Sequence, residues 1–399
     1  MIGVGLWIFL SICAILKRKR IWFGVKYMGQ RITAWVKKEL ILVLAFVCAV
    51  VSCLFVPPSR AYLDYIDWSV LGLLFCLMAV VAGLSASGLF NRMAQVLLSG
   101  QKSIRLLCMS LILLPFFTSM FITNDVALIT FVPFAILILS LCEAKQTIPY
   151  VVVLQTIAAN TGSMVLPFGN PQNLFLYASY SFSFWDFFKT VLPFGVCSFV
   201  LLIVGVFILK NQPVSVSVGT SPAPIQKKPL ALFSVLFVLC LLCVLRLFRT
   251  DVLVGIMVLC LLLFSRQTFK QIDYSLLVTF VFFFIFSGNM GQIPAVRELL
   301  TSMLSANPML TAAAASQVIS NVPAAVLLSG FTQNGAALLI GTNIGGLGTP
   351  IASLASLISF KLYLKSESPN AKRFTGLFFL LNVLFLAVMI LLSFFIRAI

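Results

Sequence analysis

The sequence contains no histidine and only ten acidic residues among 399. The first absence removes the commonest zinc or copper ligand and the usual neutral-pH proton switch. The second leaves no cluster of carboxylates for acid–base or metal chemistry, and no nucleophile with a base beside it stands out, so the chain does not read as an enzyme. Charged residues of both signs make up only 9% of the chain, against 61% hydrophobic residues and a mean hydropathy of +1.12. A soluble domain would have to bury all of this in one core, and single cores stop growing at about 250–300 residues. The composition is that of a polytopic membrane protein.

Nucleotide chemistry is also missing. The Gly-rich run GTNIGGLGTP (341–350) is followed by no GK[ST] and preceded by no strand, so it is not a phosphate loop. The ten cysteines all lie in or beside apolar runs, and Cys240 and Cys243, in LCLLCV, read as packing residues of a spanning helix. No disulfide framework is implied. The 38 phenylalanines read as lipid-facing or packing residues, with Trp68, Trp185 and Tyr274 as interface anchors.

Basic residues are plentiful, with 27 Lys and Arg and a net charge of +17, but in a membrane chain their position matters more than their sum. Apolar runs between charged loops predict ten crossings, near 2–16, 40–56, 68–85, 148–178, 191–209, 229–246, 252–264, 274–290, 335–364 and 374–396. Residues 2–16 have no basic stretch before them and are followed by Lys17, Arg18, Lys19 and Arg20. This order predicts an uncleaved first span with its N-terminus outside, or else a short interfacial segment. With that orientation, 21 of the 27 Lys and Arg fall on the cytoplasmic side. The C-terminus is then outside as well, and the protein sits in the plasma or inner membrane. Residues 17–38, basic with interleaved aromatics, suit an interfacial helix on anionic lipid better than a nucleic-acid site.

Two apolar segments, 106–141 and 303–332, begin and end on the same side in this topology and are expected to be re-entrant hairpins. Their polar tips, ITNDVA (122–127) and ISNVPA (319–324), require burial in protein or a cavity, since lipid satisfies no open backbone group. The halves also match each other. IDWSVL (66–71) matches IDYSLL (272–277), and NTGSMVLPFGNPQNL (160–174) lies over NIGGLGTPIASLASL (343–357) without a gap, with Asn160 on Asn343, Gly162 on Gly345 and Pro167 on Pro350. The matched segments face opposite sides of the membrane. The expected fold is all-α, with two inverted repeats (1–209 and 229–399) of five spans and one hairpin each, joined by a cytoplasmic linker (210–228).

Each matched Gly/Pro stretch is expected to break a helix. Two breaks and two hairpins offer four half-helix N-termini of about +0.5 charge each, a setting for an anion. No Lys or Arg lies in these segments. The candidate binding residues are therefore Thr123, Asn124, Asp125, Asn160, Thr161, Gly162, Ser163, Asn170, Gln172 and Asn173 in the first half. In the second they are Ser320, Asn321, Thr342, Asn343, Gly345, Thr349, Ser353 and Ser356. Some of these amides and hydroxyls instead cap half-helices or satisfy freed backbone groups. Asp125 is the one acidic residue placed deep in the membrane, where an ionised carboxylate costs about 3 kcal/mol. It is either a proton or cation carrier or the N-cap of the second hairpin helix.

The tips Thr123-Asn124-Asp125 and Ser320-Asn321-Val322, with the paired breaks and GNPQN (169–173), resemble the ion transporter superfamily: divalent anion/sodium symporters, citrate carriers, arsenite permeases and related sodium/proton antiporters. The resemblance covers about 66–364. It implies a homodimer in which a mobile transport domain moves past a scaffold by an elevator motion. Sodium-coupled carboxylate carriers of that superfamily use a Ser-Asn-Thr triplet at each tip. Here the asparagines carry over and the final threonine is absent from both. An acid after the first asparagine is more similar to the proton-coupled arsenite-permease branch. The expected function is ion-coupled secondary transport of a small carboxylate or oxyanion, with Asn124, Asn160, Asn321 and Asn343 shaping the site. The alternatives are a sodium/proton antiporter of the same fold and a channel. No cofactor or metal is expected beyond a coupling H+ or Na+, and the expected partners are a small anion, membrane lipid and a second copy of the chain.

Overall fold

The computed structural model describes residues 39–90, 92, 101–209, 211, 213–215, 225–366 and 369–396. The first span expected at 2–16, the basic segment at 17–38 and the middle of the linker lie outside them. The described chain opens with α1 (Leu40–Cys53), the single turn α2 (Tyr62–Tyr65) and α3 (Trp68–Ala86). A helix hairpin follows, α4 (Ile104–Thr118) and α5 (Asn124–Leu141), then an interrupted helix, α6 (Ile148–Ser163) and α7 (Pro171–Ser179), and the long α8 (Phe184–Phe207). The second part runs α9 (Lys227–Val244), α10 (Thr250–Phe264), α11 (Tyr274–Gln292) and α12 (Pro294–Ala306). A second hairpin, α13 (Pro308–Ile319) and α14 (Asn321–Ser329), precedes a second interrupted helix, α15 (Gly335–Ile344) and α16 (Leu354–Leu364), and α17 (Ala371–Ile396) closes the chain.

Six described helices, α3, α5, α8, α9, α11 and α17, are long and apolar enough to cross a membrane. The crossings expected at 148–178 and 335–364 fall short of that length because each is cut in two where glycine and proline cluster. Both restart at aligned positions, Pro171 and Leu354. Pro171 occupies N1, where its missing N–H costs nothing. Gly348, at φ +105, adopts a conformation that side chains disfavour and turns the second break.

Two boundaries and one element differ from the sequence expectation. The crossing placed at 191–209 begins at Phe184, because Ser183 caps it by accepting from the Asp186 N–H at 3.1 Å. The segment expected at 303–332 is two units. Asn307 accepts from the Leu310 N–H at 2.9 Å and Pro308 takes N1, so the hairpin starts there and α12 stands apart as an amphipathic arm. The all-α expectation is also interrupted by a short ribbon, β1 (Gln101–Ser103) antiparallel to β2 (Pro213–Ser215). That ribbon pins the start of the linker, and the Gln226 N–H, 3.1 Å from the Ser87 carbonyl, pins its end.

Packing divides the helices into two bodies of contact. α1 lies on α11, and α3 lies on α9 and α10. α6 is enclosed by α4, α5, α8, α16 and α17, while α15 lies against α13 and α14. One apolar core surrounds Phe233, Phe280 and Phe284, the other Phe194, Phe374 and Phe378. Outward-facing Leu259, Leu380 and Phe395 are exposed, as lipid-facing residues are. Apolar burial does not drive helix association in lipid, so close approach of small residues matters more. At Gly341 a methyl group would run into the Met309 carbonyl oxygen and come within 2.8 Å of Ala312 Cβ, which sets the α13–α15 distance. Gly341→Ala is expected to lower stability by about 1–3 kcal/mol, read as a fall in the melting temperature of the detergent-solubilised protein. Gly255→Ala, with nothing within 4 Å of its added methyl, is expected to leave it unchanged.

Candidate functional site

The interrupted helices and hairpin tips meet in a buried mesh of amides and hydroxyls. Asn160, in the last turn of α6, is its hub. Its Oδ1 accepts from Asn124 Nδ2 at 2.9 Å and from Ser353 Oγ at 3.0 Å. Its Nδ2 donates to Ser356 Oγ at 3.1 Å. One side chain thus joins the tip of the first hairpin to the start of α16. A second set surrounds Asn343 in α15. Asn343 Oδ1 accepts from Asn170 Nδ2 at 3.2 Å, and its Nδ2 donates to Asn173 Oδ1 at 2.6 Å. Asn170 also donates to Ser163 Oγ at 3.3 Å, and Ser163 returns to the Asn160 carbonyl at 3.0 Å. The sets are therefore linked. The matched asparagines 160 and 343 play matching parts, each tying its own break to the N-terminus of the other half's restarted helix.

The remaining candidates divide. Ser320 and Asn321 join the mesh through backbone, with the Asn321 N–H donating to the Ala352 carbonyl at 2.9 Å and Ser320 Oγ donating to the same oxygen at 3.4 Å. Thr123 and Asp125 line a cavity of about 220 Å³ together with Asn170, Gln271 and Asp273. Asp125 is not the N-cap of α5. That position is Thr123, and Asp125 lies inside the first turn, where the helix dipole favours a carboxylate. Thr161 turns away and accepts from Ser198 Oγ of α8 at 2.6 Å, while Thr342 donates to the Leu338 carbonyl of its own helix at 2.9 Å. Thr349 donates to the Gln317 carbonyl at 3.2 Å. Gln172 is buried without a side-chain bond to the mesh, and Gly162 and Gly345 give close approach to α4 and α13 respectively.

Two glutamines missed in the sequence hold the frame. Gln317 Nε2 donates to the Gly345 and Leu347 carbonyls at 2.8 and 2.9 Å, and its Oε1 accepts from the Thr349 N–H at 3.0 Å. It satisfies the second break from outside, as the backbone opened there demands. Gln155 Nε2 donates to the Leu111 carbonyl at 2.9 Å. That carbonyl lacks its helical donor because the residue four positions on is Pro115. The available signal was a lone amide in each of two apolar runs, VVVLQTIA and AAAASQVI.

The tips are not equivalent. Ser320 sits at φ 73, ψ 153, a region occupied almost solely by glycine, whereas Thr123 is at φ −66, ψ 150. Access is unequal too. The first tip faces the cavity, while Ser320, Asn321 and Ser353 are 3%, 4% and 1% exposed. A wider cavity of about 800 Å³ lies at the other ends of α3 and α11, lined by Asp67, Ser287 and Arg297, and touches α7 and α14 only beyond their first turns.

Comparison with known proteins gives a consistent result. A family model described as citrate transporter matches residues 30–336. An uncharacterised transporter of Methanocaldococcus jannaschii is 30% identical over 298 residues, covering 74% of this chain and 81% of its own length. The inner membrane protein YbiR of Escherichia coli K12 is 30% identical over 315 residues, 77% of this chain and 83% of its own length. A silicon efflux transporter of rice is 32% identical over 128 residues, 32% of this chain and 26% of its own length.

Truncating the hub tests the mesh. Asn160→Ala removes the partner of Asn124 Nδ2, Ser353 Oγ and Ser356 Oγ, so a loss of about 1–3 kcal/mol of stability is expected in thermal unfolding. Ser320→Gly is expected to act in the opposite direction, because it relieves about 1–3 kcal/mol of backbone strain. Its melting temperature should rise.

Proposed function

The chain belongs to the citrate transporter family within the ion transporter superfamily, an integral membrane protein among transporters, and on that premise we propose that it is a secondary active transporter of a small carboxylate or oxyanion. The observation that carries this reading concerns helix caps. Thr123, Ser320 and Ser353 occupy N-cap positions with side chains able to cap, yet none of them caps its helix. At other helices whose N-cap side chain is able to cap, Asp67, Ser103, Ser183, Asp273, Asn307 and Asn334 do, with Thr147 at the start of α6 the exception. The uncapped ends of α5, α14 and α16 gather at the mesh with the N-terminus of α7, which Asn170 caps by accepting from the Asn173 N–H at 2.9 Å. Each such end carries about +0.5 of fixed partial charge. Together they suit an anion held by backbone N–H groups and amides without lysine or arginine.

Alternating access by an elevator motion of two inverted repeats accounts for several features together. The helix order of the second part parallels the first, the breaks restart at aligned residues, and Asp67 and Asp273 cap α3 and α11 alike. Packing is paired in the same way: α1 on α11 answers α10 on α3, and α16 on α5 answers α7 on α14. In this reading α1, α3 and α9–α11 are the scaffold, the remaining helices carry the site, and two copies associate in the membrane. The cavity at the first hairpin tip opens to the cytoplasm when the basic loops are cytoplasmic, so this conformation faces inward. The linker is then cytoplasmic and both termini are outside.

Asp125, at the cavity beside the α5 N-terminus, is the coupling residue for a proton. One observation favours the second reading, a sodium/proton antiporter: Asp273 lines the same cavity, and two carboxylates suit a cation. The test uses proteoliposomes loaded with a pH dye and challenged with sodium, lithium, dicarboxylates, citrate, sulfate, phosphate and arsenite, for wild type and Asp125→Asn. Proton movement driven by one anion, and lost in Asp125→Asn, is the expected outcome. Proton movement driven by sodium or lithium alone would make the protein a cation antiporter. Anion movement with unchanged pH dependence in Asp125→Asn would remove Asp125 as the carrier.

A further inference from the structure

A third cavity, of about 420 Å³, has no part in the site described above. It lies between the C-terminal ends of α5 and α16, which pack against each other, and the 3-10 turn Lys145–Thr147 that follows α5. Its wall is apolar along the helices, with Ile136, Leu137 and Leu362. Its upper rim is polar, with Lys145, Lys365 and Ser366. Leu137 is 55% exposed, so the apolar side of the groove faces outward, where lipid lies against the protein.

From this juxtaposition of an apolar groove and two lysines at one end of it, we propose that the α5–α16 groove is a binding site for an anionic phospholipid, its phosphate held by Lys145 and Lys365 and an acyl chain laid along Ile136, Leu137 and Leu362. Charge complementarity selects the occupant. Among the described residues no acidic side chain lines the groove, and neither lysine has an ion-pair partner. Nor are the lysines engaged by the negative helix ends. The last turn of α5 is closed by backbone, with the Cys142 N–H on the Ile138 carbonyl and the Ala144 N–H on the Leu139 carbonyl. That of α16 is closed by the Lys365 N–H on the Lys361 and Leu362 carbonyls and the Ser366 N–H on the Tyr363 carbonyl. With those acceptors satisfied, both ammonium groups remain available to an external phosphate. A neutral detergent fills the apolar part equally well and gains nothing from the rim, and a zwitterionic lipid gains less than an anionic one because the lysines repel its own ammonium group. Basic pockets between membrane helices bind acidic headgroups in this way. The proposal does not depend on the transport reading, since it needs only the membrane.

The test measures lipid retention by native mass spectrometry of the full-length protein, purified and exchanged into mixed micelles of phosphatidylglycerol and phosphatidylcholine, with no transport substrate present. Lys145→Gln/Lys365→Gln is compared with wild type, and Lys145→Arg/Lys365→Arg reports whether charge alone suffices. Each lysine near an anionic headgroup is worth about fivefold in affinity. Wild type should therefore retain one more phosphatidylglycerol than the glutamine variant, with its phosphatidylglycerol titration shifted about thirtyfold, and the arginine variant should behave like wild type. Equal phosphatidylglycerol retention by wild type and the glutamine variant overturns the proposal, as does equal retention of phosphatidylcholine and phosphatidylglycerol by wild type. A melting curve in phosphatidylcholine alone, expected to be the same for all three proteins, separates lost lipid from lost fold.

Discussion

Every backbone polar group within the hydrocarbon region must find its partner inside the protein, and the structure is organised around that constraint. Two helices are broken and two are folded back, which opens N–H and carbonyl groups at four places. The chain closes these openings with groups from outside the break itself. Gln317 bonds the carbonyls of the second break from the neighbouring hairpin, Asn173 Nδ2 bonds the Met164 carbonyl at 3.1 Å in the first, and the Ala352 carbonyl accepts from the tip of the second hairpin. Each repair crosses from one element to another. The breaks are thereby stitched into one unit, and the positive helix ends are left turned toward a shared centre.

The same reasoning explains where the polar residues are. Asn160 and Asn343 are each 5% exposed or less, deep in positions where an unpaired amide would be expensive. They are tolerable because each finds partners across the halves, Asn160 on Ser353 and Ser356 and Asn343 on Asn170 and Asn173, with Asn124 added to Asn160 from its own half. Such a network is worth more complete than partly satisfied, so it holds the broken segments as one unit. The glycines serve the network indirectly. Gly162 brings α6 against the Phe116 carbonyl, and Gly346 comes within reach of Asn321 Nδ2, so helices approach closely enough for short side chains to touch.

Symmetry of element order does not extend to the details. Thr123 is relaxed and faces a cavity; Ser320 is strained and buried. Asp125 has Val322 as its counterpart in the second tip. The two tips therefore present different chemistry, an acid beside a cavity at the first and a buried hydroxyl and amide at the second. The ends of the linker are pinned by hydrogen bonds, one on β1, which leads into α4 of the body that holds the site, and one on Ser87 at the end of α3.

The order of apolar runs, the two hairpins, the helix breaks and the matched asparagines were all legible in the residues, because period, proline, glycine and charge act locally and lipid permits few alternatives. Asparagines 124, 160, 170, 173 and 343 are legible as amides of a hairpin tip and of the broken helices, but not who bonds whom. Thr161 and Thr342 carry the same chemistry as the mesh residues and point elsewhere, a matter of helix rotation that no short window of sequence records. Gln155 and Gln317 escaped notice because each serves a carbonyl on another helix, and an acceptor freed by Pro115 becomes visible only when α6 is laid beside α4. The sequence by itself determined where the chain must break and which side chains were available to repair it. Only the tertiary structure decided which repair each one makes and which helix ends stay uncapped, because hydrogen bonds between distant elements depend on distances of a few ångströms that packing alone fixes.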